Sequence, residues 1–194
     1  MSEYIKFECE HVMTPAAPVA GFDELNRYRD KLRERSLIGV DANGIGFGNL
    51  SVRSEAKQFQ ITASGTGGLP RLTLADFTKV VAYDFARNWL RCEGPAIASS
   101  ESLTHAAVYE SEPAAGAIIH CHDSKLWAAL LDRAPTTPKA ITYGTPEMAY
   151  AVQRLFETAD VKEIFVMAGH EGGIVTFGKD IGEAFAVLER ELNA

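Results

Sequence analysis

Segments of helical period alternate along this chain with short apolar runs that close on glycine or a polar residue. A chain patterned that way has to bury helices against a sheet, which places it among the α/β folds. FDELNRYRDKLRERSL (22–37) carries Leu25, Tyr28, Leu32 and Leu37 as an apolar helical stripe. The glycine-broken GVDANGIGFGNLSVR follows, then the strand-like FQIT (59–62) and the turn ASGTGG. Thr73 and Asp76 suggest the cap of a short helix over 73–79. KVVAYDFARNWLRCEG reads as one or two strands around a turn. A helix is expected from about Ser102 to Glu110, a strand over AGAIIHCH, and a short helix from Ser124 to Leu131. PTTPKAITYG reads as a loop with a brief strand, and TPEMAYAVQRLFETA has its proline where helix starts accept one. EIFVMAGH and GGIVTFG are expected to pair as a hairpin, and IGEAFAVLERELNA to close the chain as a helix. No repeat, low-complexity tract or linker interrupts the pattern. Residues 1–20, ending in TPAAPVAG, read as a loosely held arm, and residues 21–194 as a single domain.

The 194 residues suffice for one hydrophobic core, and 46% hydrophobic with 23% charged residues argues against a disordered chain. A net charge of −7 with no basic stretch argues against a nucleic-acid or anionic-membrane partner. No apolar run approaches the roughly 20 residues of a membrane helix, and the acidic start MSEYIKFECEHVM lacks a signal-peptide core. Cys9, Cys92 and Cys121 are too widely spaced for a zinc finger or a disulfide framework. They read as reduced thiols, so a cytoplasmic location is expected.

The candidate chemistry starts at AGAIIHCH. On a strand, His120 and His122 share one face about 6.5–7 Å apart at Cα, with Cys121 on the other. That spacing lets both imidazoles reach one cation, although two polar residues at a strand end would look the same. His170 ends EIFVMAGH among glycines that let the backbone turn, and three histidines at strand ends would make a catalytic zinc arrangement. In PAIASSESLTHAAVYE, Ser99 and Ser100 sit where a helix should start and can hold an anion or simply cap the helix. His105 follows Glu101 by four residues and can orient its carboxylate or pack as a buried helix histidine. In GFGNLSVR the Asn49 amide can donate to an oxyanion, and in ITASGTGG, Ser64 and Gly65 can form a backbone nest for phosphate. Neither turn is a phosphate loop or a dinucleotide fingerprint.

GNLSVR, ITASG, SSE, HxH and a late histidine–glycine turn, in that order over roughly residues 22–190, resemble the class II aldolase/adducin family. The resemblance implies a single α/β/α sandwich with a central, mostly antiparallel sheet, usually assembled as a homotetramer. It places His120, His122 and His170 on a site for Zn²⁺ or another divalent metal, and Glu101 on the catalytic acid/base. Asn49, Ser64, Gly65, Ser99 and Ser100 fall on positions that hold the substrate phosphate, and His105 on a histidine seen after that glutamate. The reaction implied is metal-dependent aldol cleavage of a small phosphorylated sugar or hydroxy-ketone through an enediolate. Epimerases, dehydratases and decarboxylases use the same intermediate, and the adducin branch is a non-catalytic interaction module. Exclusion of water is expected to raise the Glu101 pKa.

Three departures qualify the match. Alignment on GIVTFG puts the third ligand at Gly172, so His170 needs a two-residue shift, with Glu171 as the fallback ligand. The segment before PTTPKAITYG is short, and the chain ends after the last helix, so the parts that select the aldehyde are expected to differ.

Overall fold

The computed structural model describes residues 5–131 and 133–194. Strand β1 (Glu8–Met13) leads into helix α1 (Phe22–Glu34) and the small hairpin β2 (Gly39–Val40) and β3 (Gly46–Phe47). Four strands follow: β4 (Asn49–Glu55), β5 (Gln58–Thr62), β6 (Phe77–Asp84) and β7 (Trp89–Gly94). Helix α2 (Ser102–Ser111), strand β8 (Ala117–His122), helix α3 (Ser124–Leu130) and strand β9 (Thr136–Thr137) come next. Helix α4 (Pro146–Thr158), strands β10 (Ile164–Met167) and β11 (Gly173–Gly178), and helix α5 (Ile181–Leu192) complete the chain.

Nine strands form one sheet in the order β1-β7-β6-β5-β4-β8-β11-β10-β9. Its interior pairings are antiparallel, and only the two edge pairings, β1–β7 and β9–β10, are parallel. Alternation along β8 decides what each face carries. Ile118 joins Phe165, Met167 and Val175 in a core with Leu103, Ala107 and Val108 of α2 and Met148 and Val152 of α4. Ala117, Ile119 and Cys121 face the opposite core, with Leu25 and Leu32 of α1 and Phe185 and Leu188 of α5. The result is the expected α/β/α sandwich with a mostly antiparallel sheet. Helix α2 lies between the sheet and α4, which is why every residue from Ser102 to Tyr109 is buried. Each fully buried Leu, Val or Phe here is worth about 1.5–3 kcal/mol of transfer free energy.

Two elements differ from expectation. The described part of residues 1–20 is no loose arm: β1 pairs in parallel with β7, Phe7 is buried, and His11 Nε2 lies 2.8 Å from the Gly94 carbonyl. Pro18 also accepts from the Gln60 amide at 2.8 Å, and the free thiols of Cys9 and Cys92 lie 3.6 Å apart. A half-exposed edge strand whose partner lies 81 residues away has little periodic signature of its own. The helix expected over 73–79 is a 3₁₀ turn at Leu74–Asp76, because Phe77 onward joins the sheet as β6. Its cap holds as read: Asp76 accepts from both the Thr73 amide and hydroxyl. None of the described helices is long and apolar enough to cross a membrane.

Candidate functional site

Strand β8 delivers His120 and His122 to one face, as the alternation requires, with ring centroids 4.9 Å apart. Their Nε2 atoms lie 3.2 Å from each other. His120 Nδ1 lies 3.2 Å from the Ile174 carbonyl on neighbouring β11. Donation there fixes the tautomer that leaves the Nε2 lone pair free. His170 is not on a strand. Two consecutive turns carry it in: its amide donates to the Met167 carbonyl at 3.0 Å, and the Gly173 amide donates to the His170 carbonyl at 2.8 Å. Gly172 stands at φ +79, and a Cβ on Gly173 would come within 3.2 Å of the His170 ring and 3.3 Å of the His120 ring. These turns supply the two-residue offset, and the glycines leave room for the imidazoles. Glu171 is exposed at the rim.

One ligand-capable atom from each of His120, His122 and His170 lies within 4.8 Å of the other two. Burial pushes the His120 ring well below its ordinary pKa and takes His122 down to about 4, so both rings offer lone pairs at neutral pH. The Nε2 pair needs a proton or a cation between its lone pairs, while the buried His170 Nδ1 and Glu101 Oε1 beside it have no hydrogen-bond partner. A cluster with more acceptors than protons fits a divalent cation.

Glu101 caps the start of α2 and is 2% exposed. Its Oε2 accepts from the Thr104 hydroxyl at 2.7 Å, and its Oε1 stands 3.3 Å from His170 Nδ1 without hydrogen-bond alignment. Burial pushes this carboxyl up, but the His170 and His120 rings and the Thr104 hydroxyl outweigh it and hold the carboxyl down at about 2. The expected rise is not seen: the neighbouring imidazoles and the Thr104 hydroxyl lower the carboxyl by more than burial raises it. His105 does not orient the carboxylate. Its Nδ1 lies 2.7 Å from Ser51 Oγ, which in turn contacts the Tyr109 hydroxyl at 2.8 Å. Thr104 takes the orienting position, one residue too early for the i, i+4 reading of the sequence.

These groups open on a cavity of about 620 Å³, which Asn49, Ser64, Gly65, Ser99 and Ser100 all line. Asn49 sits opposite His120 in the β4–β8 register, and its buried Oδ1 has no partner. Ser99 builds the turn that leads into α2: its carbonyl accepts from the Ser102 amide and hydroxyl, and its Oγ lies 3.4 Å from the Glu101 amide. The turn after β5 differs from the nest expected. Ser64 spends its amide on the Ile97 carbonyl, whereas among the described residues the amides of Gly65, Thr66 and Gly67 donate to no acceptor. Three cavity neighbours were not legible in advance. Tyr143 stacks on His170 at 4.3 Å, Phe47 packs on His122 at 5.5 Å, and Asp41 belongs to the turn between β2 and β3. Asp41 and Phe47 both belong to the β2–β3 hairpin, which the sequence marks by its glycine-spaced GIGFG.

Comparison with known proteins follows the same lines. A 3-oxo-tetronate 4-phosphate decarboxylase of Haemophilus influenzae (strain ATCC 51907 / DSM 11121 / KW20 / Rd) is 30% identical over 156 residues, covering 72% of this chain and 70% of that protein. A solved L-fuculose 1-phosphate aldolase matches with a TM-score of 0.69 at 24% identity, over 92% of this chain and 84% of that one. YgbL from Klebsiella pneumoniae, described as a candidate aldolase/epimerase/decarboxylase, matches at 0.68 and 21%, over 91% and 88%. At those identities the solved structures speak for the fold alone. The family model for the Class II Aldolase and Adducin N-terminal domain matches residues 35–191, and the chain belongs to that family.

Proposed function

We propose that this protein is a divalent-metal-dependent carbon–carbon lyase acting on a small phosphorylated hydroxy-ketone or sugar. The observation that carries the reading is the buried Glu101 carboxylate 3.3 Å from His170, one of three clustered imidazoles. His120, His122 and His170 would hold the cation, zinc by the nature of the donors. Bound there, it supplies Lewis-acid polarisation of a carbonyl and counter-charge for an enediolate. Glu101, ionised at neutral pH, takes a proton from the substrate and returns it to carbon, with Thr104 fixing which oxygen faces the substrate. The turn at 64–67, with Asn49 and Ser100, holds the phosphate and so converts binding into orientation. A homotetramer is part of the same proposal and is read by light scattering on the eluting protein.

Aldol cleavage releases an aldehyde; decarboxylation of a phosphorylated 3-oxo sugar acid releases CO2 and reaches the same enediolate. The second reading is favoured by one observation, the Haemophilus relative whose name is that of a decarboxylase. The zinc-loaded protein is offered phosphorylated ketoses and 3-oxo sugar acids. Release of a triose phosphate or glycolaldehyde phosphate together with an aldehyde and without CO2 supports aldol cleavage, and release of CO2 supports decarboxylation. A chain that takes up no divalent ion, or turns over neither class, is the interaction module instead.

A further inference from the structure

We propose that Arg29 is a positioning residue for the phosphate end of this cavity, a buried guanidinium that holds the 64–67 turn from behind so that its amides face an incoming anion. The inference rests on the phosphate-binding role proposed above for that turn.

Arg29 lies on α1 and is 2% exposed, among the largest fully buried side chains. Its Nη2 donates to the Thr66 carbonyl at 2.7 Å and the Gly67 carbonyl at 3.2 Å. Nη1 is buried with no partner. Asp30 and Asp76 favour its charge from a distance, but among the described residues neither forms an ion pair with it: Asp30 lies 3.8 Å from Arg71, and Asp76 accepts from Thr73. Burial lowers the guanidinium to about 10, which leaves it charged at neutral pH. Removing such a charge from water costs several kcal/mol when no carboxylate pairs with it directly. An apolar side chain would fill this place between α1 and the turn with less penalty, so the charge itself calls for a role.

The peptide geometry supplies one. In a trans peptide the C=O and the following N–H point in opposite directions. A guanidinium that takes the Thr66 and Gly67 carbonyls therefore turns the Gly67 and Gly68 amides away from itself. Gly67 lines the cavity, its amide has no acceptor, and neither have those of Gly65, at φ +78, and Thr66. Successive donors around a left-handed residue are the backbone form of an anion site. From the far side the hairpin blocks any other setting: a Cβ on Gly67 would come within 2.2 Å of the Gly39 carbonyl and 2.9 Å of the Phe47 carbonyl.

Charge points the same way. Among the described residues, no Lys or Arg lines the cavity, whereas Asp41, Glu101 and Glu171 do. Away from the proposed metal, a phosphate entering it meets carboxylates and neutral donors, and among the described residues the cation that touches the donor turn is Arg29, through its peptide carbonyls. The arrangement polarises the amides while keeping the guanidinium out of direct contact, so no ion pair has to break on product release.

The test uses the full-length zinc-loaded chain, with inorganic phosphate as the probe and backbone amide shifts as the readout. In the unmodified protein, phosphate should shift Gly65, Thr66 and Gly67. Arg29→Gln should weaken that binding roughly tenfold to a hundredfold while zinc stoichiometry is unchanged. Arg29→Lys, which keeps the charge but not the two-carbonyl fork, should recover part of the affinity. A folded Arg29→Gln protein that binds phosphate at the turn as tightly as the parent overturns the role of Arg29 and leaves the phosphate site standing. Absence of any shift at Gly65–Gly67 in the parent overturns the site and this inference with it. Should Arg29→Gln not fold, Arg29→Lys decides alone: affinity equal to the parent refutes the proposal.

Discussion

Nδ1 of His170 stands 3.3 Å from Oε1 of Glu101, both atoms buried and neither in a hydrogen bond. The contact joins the third imidazole of the cluster to the carboxylate proposed to move the proton, so one substitution can separate metal binding from catalysis. Glu101→Gln keeps the shape of the side chain and its contact with Thr104 but removes the proton acceptor. It should retain zinc at full stoichiometry and lose activity by at least about a hundredfold. Metal content by atomic spectroscopy, set beside turnover on the best substrate of the panel, checks both halves. Unchanged turnover would remove Glu101 from the chemistry.

The Thr104 hydroxyl gives the second prediction. It donates to the other carboxylate oxygen at 2.7 Å, and both residues are 2% exposed. Thr104→Val conserves volume and leaves a buried anion one donor short, which costs roughly 1.5–3 kcal/mol where it is felt. The rate constant kcat should fall about tenfold or more with zinc content and KM little changed, and Thr104→Ser should restore it. A rise in KM alone would show that the hydroxyl serves substrate binding instead.

How far these assignments were readable in advance follows from the range of the interactions. His120, Cys121 and His122 took their faces from the two-residue period of a strand, which is local and cannot slip once Ile119 and Ile118 are buried on opposite sides. The hairpin of β10 and β11 was legible for the same reason, its glycines marking the turn. β1 was not, since its partner β7 is 81 residues away and its own sequence is mixed. Within the site, the helical spacing of His105 from Glu101 was sound as geometry. It misled because Ser51, on a strand 54 residues earlier, claims the imidazole at 2.7 Å. Nothing in FDELNRYRDKLRERSL sets Arg29 apart from its charged neighbours, and only the packing of α1 against the 64–67 turn distinguishes it.

Gly173 gives the third. A Cβ there would meet the His170 carbonyl at 2.9 Å, the His170 ring at 3.2 Å and the His120 ring at 3.3 Å. The turn has to open to admit a methyl group, and two ligands move with it. Gly173→Ala should fold, because β11 keeps its pairings with β8 and β10, yet bind zinc at least about tenfold more weakly, since even small ligand displacements lower metal affinity. His120→Ala, by contrast, should lose the metal outright. Titration with a zinc-competing dye ranks the three proteins, and parent-like affinity in Gly173→Ala would place the third ligand elsewhere.

The last prediction concerns acid stability and rests on His105. The ring is fully buried against Ser51, and burial lowers it from 6.5 to about 4, with Glu101 opposing the shift. As pH falls, the unfolded chain therefore binds this proton first. Between pH 6.5 and about 4 the unfolded state gains protons that the folded state refuses, so stability declines across that window and is full above it. The difference is on the order of 3 kcal/mol for this one group. His105→Gln removes the titration and can keep a hydrogen bond to Ser51. Its stability at pH 7 should be similar to or lower than the parent's, but urea midpoints for parent and variant should converge, or cross, as pH falls from 6.5 to 4. Working with the difference between the two proteins cancels the titration of His120 and His122, which both share. Parallel curves over that range would mean that His105 is already protonated in the folded chain, or that Ser51 and Tyr109 hold its charge as well as water does.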